Sequence, residues 1–515
     1  MSETRSRNLT ALAIFVALTP LLLVFHGNRF VATNDEGIIL ESAGRMLHGS
    51  RLYTDFFGYM SPGSYWLQTL IFRIFGVAMW TGRLIVIADV SLQCALVFWL
   101  TARIATRRAA VVAVAMFAGF QIADPNFLTT AHRWDSATFA LAGIAVALSS
   151  WKRRWVASGA LLAMAAWCTP AVAAAGAAVG LFLAVRSRRD LLPFAAGIGG
   201  ISAAAIALLF ATGSFGSFLQ QLAWLRTNYS DANVMPYGSI IGGYRALFEG
   251  ATGAAELAVR SILVACVALP ATLPVIGVIA AMAVARQKSS EERGPFELLT
   301  LAAIAMVASV FPRADVQHLA FVAALPYVLA VAGLARVLPA RASAPLAMAM
   351  MLLAGIFGSN FFTTLRGTTP VASPVGVLRV PSDQAAAMTS LFAEVRPQSS
   401  LFVFPYLPIQ YFVTQTKNPA RLSFFSPGMM PESDVAATLA ELRRHPPQWL
   451  LYMKLSEAEF LRVFPHGKAS TWHFEEMEKW FDANYSAVDN PPVSIWGYVL
   501  YRRNASCGDG SSDLP

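Results

Sequence analysis

The chain has 515 residues, 56% of them hydrophobic and only 13% charged, with a net charge of +9. Soluble proteins carry about 25% charged residues, so the composition excludes an ordinary soluble domain and calls for long lipid-facing stretches. The basic residues sit in short clusters between apolar segments, which speaks against a nucleic-acid-binding face and fits membrane topology.

Arg5 and Arg7 precede an apolar run with no clear small-residue cleavage site after it, so a retained first helix is expected. A membrane span needs roughly 17–25 mainly apolar residues. Candidates lie at 9–25, 83–103, 109–123, 136–150, 156–168, 170–185, 191–211, 257–285, 296–311, 318–335 and 346–363. With these eleven spans, the clusters Arg5/Arg7, Arg103/Arg107/Arg108, Lys152/Arg153/Arg154, Arg186/Arg188/Arg189, Arg286/Lys288/Arg293 and Arg336/Arg341 all share the side of the N-terminus. The positive-inside bias makes that side the cytoplasm. The same parity requires two short spans meeting near Thr169-Pro170, and one kinked span across Pro270 and Pro274. The expected fold class is therefore mainly α, a polytopic transmembrane helix bundle with a cytoplasmic N-terminus and a C-terminus outside.

The outer side receives 26–82, 124–135, 212–256, 312–317 and everything after about 364. Within the first loop, Thr33 to Phe75 is too polar to cross a bilayer and too patterned for a linker. Asp35 and Glu36 open an amphipathic helix, Tyr53-Thr54-Asp55-Phe56-Phe57 forms a loop, and a second helix starts near Ser61-Pro62. Asp35 suits the N-cap of a helix over 36–47. Beyond 364 the apolar runs shorten. SSLFVFPY and QWLLYM read as strands, 432–444 and 474–483 as helices, and VSIWGYVLYRR as a final strand. The expected division is a transmembrane part, 1–363, and a small extracytoplasmic α/β domain, 364–515.

The outer loops hold the distinctive polar residues: Asp35-Glu36, Asp55, Asp124, His132-Arg133-Trp134-Asp135, and Arg313-Ala314-Asp315 with His318. Ionisable groups at the hydrocarbon edge are costly and mark function. Each also has a structural reading: Asp55 as a turn former, Trp134 as an interfacial anchor, Arg313 and Asp315 as a local ion pair. Trp224, Arg226, Asn228 and Tyr229 suit sugar stacking or interfacial anchoring. The four cysteines, Cys94, Cys168, Cys266 and Cys507, show no ligand spacing, so neither a disulfide framework nor a zinc site is expected.

The first apolar helix, the Asp-Glu pair opening a helix, then YTDFFGYMSPGSYWLQTLIFRIFG and a span beginning with Arg83 together resemble the GT-C superfamily of integral-membrane glycosyltransferases. The nearest groups are those similar to aminoarabinose transferases, protein O-mannosyltransferases of glycosyltransferase family 39, and RgtA/B/C/D-like enzymes. The likeness is sharpest over about residues 30–140. It implies a sugar donor on a polyprenyl phosphate and a first-loop acid, at Asp35, as general base. It also implies a second acid, with Asp135 or Asp124 in that place. Glu36 joins Asp35 and Asp135 as a catalytic candidate. Arg51, Asp55, Tyr59, His132, Arg133, Arg313 and His318 are the substrate-binding candidates. Where aminoarabinose transferases carry Lys-Pro-Pro, this chain has Met60-Ser61-Pro62, so Arg51, Arg133 or Arg313 must supply the phosphate-binding charge.

The implied activity is inverting transfer of a sugar from a polyprenyl-phosphate carrier to a lipid, polysaccharide or protein acceptor, at the outer face of a bacterial inner membrane. No cofactor is expected, and ligand spacing does not support a metal. The competing reading is a non-enzymatic transporter or flippase of lipid-linked saccharides. It calls for internal repeats and ionisable residues in mid-span; no repeat is present, and Asp89 is the main acid inside a span.

Overall fold

The computed structural model describes residues 3–235, 252–258, 261, 290–426, 429–456, 474–488 and 494–504. The N-terminal part is helical: α1 (Glu3–His26), α2 (Asn34–Leu47), α3 (Pro62–Phe75), α4 (Met79–Ile104), α5 (Arg107–Ala123), α6 (His132–Ala147), α7 (Arg154–Cys168), α8 (Ala173–Arg186), α9 (Leu191–Ala211) and α10 (Phe215–Asn233). There follow α11 (Ser290–Ala308), α12 (Val316–Phe321), α13 (Ala324–Val337) and α14 (Ala340–Arg366). Among the described residues, four stretches are long and apolar enough to cross a membrane: α1, α4, Arg188–Ala211 containing α9, and Arg341–Arg366 within α14. Only α4 is mostly enclosed, 67% of its apolar window being buried against 11–22% for the other three. Those three turn large apolar side chains such as Val24, Leu192 and Leu352 outward. A face that is apolar yet unpartnered suits lipid, and the chain is a membrane-embedded bundle around α4.

Proline marks one helix break, at Pro170, whereas Pro20, Pro295 and Pro345 lie inside α1, α11 and α14. The stretch 156–185 divides where expected: α7 stops at Cys168, Thr169 is extended, and Pro170 opens a short 3-10 turn before α8. At Pro170 a continuous helix would lose one backbone hydrogen bond and crowd the preceding turn, and the break avoids both. The expected single span 318–335 is corrected to two helices, α12 and α13, which puts Pro326 in the first turn of α13, where its missing N–H is harmless. The expected span 257–285 lies almost wholly outside the described residues.

After α14 the chain forms a hairpin, β1 (Thr368–Ser373) and β2 (Gly376–Pro381), then α15 (Ala385–Glu394), β3 (Leu401–Phe404), α16 (Ile409–Thr414), α17 (Glu432–Arg444), β4 (Trp449–Tyr452), α18 (Glu475–Asn484), β5 (Tyr485–Ala487), β6 (Ser494–Ile495) and β7 (Tyr498–Arg503). The sheet runs β3-β4-β7-β5, with β3 and β4 parallel and the other pairs antiparallel. The expected final strand over VSIWGYVLYRR is a hairpin instead. Trp496 and Gly497 take φ of 48° and 86°, the positive values of a tight two-residue turn, and β6 folds back on β7.

This sheet region is sewn to the segment between α1 and α4. Phe30 N–H donates to Arg379 O (2.8 Å) and Arg379 N–H to Asn28 O (2.7 Å). Helix α16 lies on α2 at Gly37, where a Cβ would come within 2.1 Å of Ile409 N. Phe402 and Phe404 of β3 share one buried cluster with Ile38, Tyr53, Phe56 and Phe57. The segment's apolar residues thus find their burial against the C-terminal region, and that contact fixes α2 and α3 over the bundle.

Candidate functional site

A cavity of about 620 Å³ opens where the bundle meets the sheet region. Its wall comes from the start of α2 (Thr33, Asp35), the loop before α3 (Tyr53, Tyr59, Ser61), the start of α6 (His132, Arg133), the α7–α8 break (Thr169), α10 and the turn 311–318. Tyr406, Phe424 and Met429 close it from the C-terminal side. Close packing of α3 on α7 permits this: a Cβ on Gly63 would meet Cys168 Sγ and Trp167 O at 2.8 Å.

Asp35 is not the N-cap. Thr33 occupies that position without a side-chain cap bond, and Asp35 sits in the first turn of α2. Half-buried, its carboxylate accepts a 3.1 Å hydrogen bond from Tyr59 Oη. Burial, with the Asp35 charge beside it, pushes the Tyr59 hydroxyl well above its ordinary range, so it stays a donor. The Tyr59 ring packs edge-on against His132 and Phe424.

Glu36 lies elsewhere, which corrects its placing beside Asp35 in the site. Consecutive helical residues are about 100° apart around the axis, and Glu36 faces the core. Fully buried, it accepts from Arg83 Nε and Nη2 at 2.8 Å each and from Thr130 N–H at 3.2 Å. Arg83 Nη1 also meets His26 Nε2 at 2.8 Å. Asp135 is likewise buried beneath the cavity without lining it, beside Asp89 of α4 and Ser64 of α3. It lies in the first turn of α6, of which the first two residues, His132 and Arg133, reach the cavity. Asp124 caps the short turn after α5, accepting from Asn126, and is also outside.

Arg51 and Asp55 are drawn out of the site by each other. Arg51 Nη2 donates to Asp55 Oδ1 (2.8 Å) and its backbone N–H to Oδ2 (2.7 Å), forming an exposed loop closure.

His132, Arg133, Arg313 and His318 do line the cavity. His132 Nδ1 lies 2.7 Å from Thr169 Oγ1. Arg313 Nε donates to Asp315 Oδ2 (2.8 Å), and His318 Nδ1 to Oδ1 (2.6 Å). Burial alone would raise the Asp315 carboxyl, but the His318 and Arg313 partners outweigh it and hold it well below the usual carboxylate range. Arg133 differs: it is 9% exposed, and among the described residues no carboxylate pairs with it and its Nε has no acceptor.

Tyr229 and Arg226, on α10, also line the cavity; their aromatic-basic spacing was a signal that did not by itself separate a site from an interfacial anchor. Nothing in the sequence signalled Tyr406, Phe424 or Met429. No three His, Cys, Asp or Glu side chains cluster to hold a metal ion among the described residues.

No family model matches the chain, and no curated protein matches it. Solved structures do. ArnT from Cupriavidus metallidurans bound to undecaprenyl phosphate aligns with 96% of this chain and 98% of its own, at 14% identity and a TM-score of 0.58. The chain has the GT-C fold. The apo form of the same ArnT aligns over 95% of this chain and 97% of its own, at 14% identity and a TM-score of 0.53. A looser likeness, TM-score 0.49 at 12% identity over 93% of this chain and 72% of the other, is to the Archaeoglobus fulgidus oligosaccharyltransferase tethered with an acceptor peptide. On this fold the cavity combines, among the described residues, an accessible carboxylate, Asp35, with a buried guanidinium, Arg133, that has no carboxylate partner.

Proposed function

We propose that this chain is an inverting glycosyltransferase that moves a sugar from a polyprenyl-phosphate carrier to a lipid, glycan or protein acceptor. The observation that carries the reading is the pairing of Asp35 and Arg133 in one cavity. Asp35 takes the proton of the acceptor hydroxyl as its oxygen attacks the anomeric carbon. The bond from that carbon to the phosphate oxygen breaks, and the lipid phosphate leaves with the electron pair. Arg133, which has no carboxylate partner among the described residues, stabilises its charge by charge-assisted hydrogen bonds. One carboxylate suffices for a direct, inverting displacement. Tyr59 holds Asp35 in place, and Arg313, already held by Asp315, adds positive field. The undecaprenyl phosphate of the ArnT complex supports a carrier of this class.

In this reading eleven spans place the basic clusters in the cytoplasm and the cavity at the outer face of a bacterial inner membrane. Residues 1–363 form the transfer domain, and 364–515 an extracytoplasmic domain that closes one wall. No cofactor is invoked.

The test is release of polyprenyl phosphate by the purified protein from a panel of polyprenyl-phosphate sugars, with native membrane extract as acceptor source. Asp35→Asn is expected to lower release at least a hundredfold, and Arg133→Gln at least tenfold. Equal release by wild type and Asp35→Asn would put the base elsewhere.

A further inference from the structure

Among the described residues the cavity wall holds five charged side chains: the carboxylates of Asp35 and Asp315 and the guanidiniums of Arg133, Arg226 and Arg313. Three positive groups face two negative ones, a surplus of one positive charge. Neither carboxylate is available to a further cation. Asp315 is committed on both oxygens, to Arg313 on one and to His318 on the other. Asp35 must stay free to take the acceptor proton. An ammonium beside it would favour its ionised form and weaken it as a base. The cationic side has capacity to spare: Arg133 is buried with Nε unbonded, and Arg226 is exposed at the rim with no partner among the described residues.

We infer that the transferred sugar carries no ammonium group and is a neutral or carboxylated sugar. The inference rests on the transfer reading above and names its donor class. A sugar on a phosphodiester-linked carrier brings one negative charge, which balances the surplus. A carboxylate on the sugar would meet Arg226. An amino sugar would instead bring a further cation among three guanidiniums, with no free carboxylate among the described residues to receive it, and like charges juxtaposed in a partly desolvated site are costly.

Three polyprenyl-phosphate donors that differ only in the sugar decide the point: a neutral hexose, the corresponding hexuronate and an aminodeoxy sugar. They are given to the full chain with the same membrane extract. The neutral donor or the hexuronate is expected to release polyprenyl phosphate at least tenfold faster than the amino donor. Arg226→Glu, which puts a carboxylate on the exposed rim, is expected to narrow that ratio at least threefold. An amino donor that turns over as fast as the others, or a ratio that Arg226→Glu leaves unmoved, overturns the charge argument while leaving sugar transfer standing. No release from any of the three removes the transfer reading and this inference with it.

Discussion

At the scale of single residues, Asp315 shows how a local ion pair can serve a site. Its carboxylate receives Arg313, the His318 ring and the His318 N–H, and so caps α12 at the cavity wall. Asp315→Ala is expected to cost about 1–2 kcal/mol at neutral pH, the loss of a helix cap. The sign of the pH dependence follows from the depressed carboxyl. An unfolded Asp titrates near 3.9, and the folded group titrates lower. The stabilisation is therefore fully present above about pH 4 and is lost as pH falls through the folded value. Thermal unfolding of wild type and Asp315→Ala from pH 7 to pH 3 measures this; the gap in Tm should shrink only below about pH 4. A gap that is constant with pH would mean that the charge of Asp315 contributes nothing.

Between elements, Glu36 acts as a brace. One carboxylate ties the first turn of α2 to Arg83 on α4 and to the Thr130 backbone just before α6. Asp35 and Arg133 stand on those two helix starts, so the brace fixes the spacing of the two groups that the proposed transfer would use. Both partners of the pair are fully buried. Removing one leaves a charge without compensation in the core, at about 3–5 kcal/mol, whereas removing both with apolar groups of similar size is often near neutral. Chemical unfolding of Glu36→Met, Arg83→Met and the double variant should therefore show the double variant as more stable than either single one. Additive losses would mean that the pair carries no coupling.

For the whole molecule, the decisive property is which way the cavity faces. The wall is assembled from at least six separate stretches between Thr33 and Met429, so the transmembrane bundle and the sheet region must share one side. Single cysteines at exposed Lys152 and exposed Ser390, in a chain whose four native cysteines are replaced by serine, report that side. In sealed right-side-out vesicles an impermeant maleimide is expected to label Ser390→Cys at once, and Lys152→Cys only after permeabilisation. The reverse pattern would turn the site to the cytoplasm and end the proposed outward transfer.

The sequence by itself determined what depends on neighbours along the chain. Apolar length placed helices at ten of the eleven expected spans, with one of them split; the eleventh, 257–285, falls almost wholly outside the described residues. Thr169-Pro170 marked the helix break, and the pattern after Thr33 marked α2 and α3. Polar residues between the apolar segments included Asp35, Arg133, Arg313 and His318, four groups that do meet in the cavity. Only the tertiary structure decided between neighbours that look alike in sequence. Asp35 and Glu36 differ by a turn of about 100° on one helix, and that rotation sends one to the cavity and the other to Arg83. Arg51 was removed by a carboxylate four residues away, and Asp135 by the depth to which α6 descends. The wall contributed by Tyr406, Phe424 and Met429 comes from more than three hundred residues along the chain. Hydropathy and periodicity are local quantities; which side chain remains unpaired in a cavity is settled by every other group that packs around it.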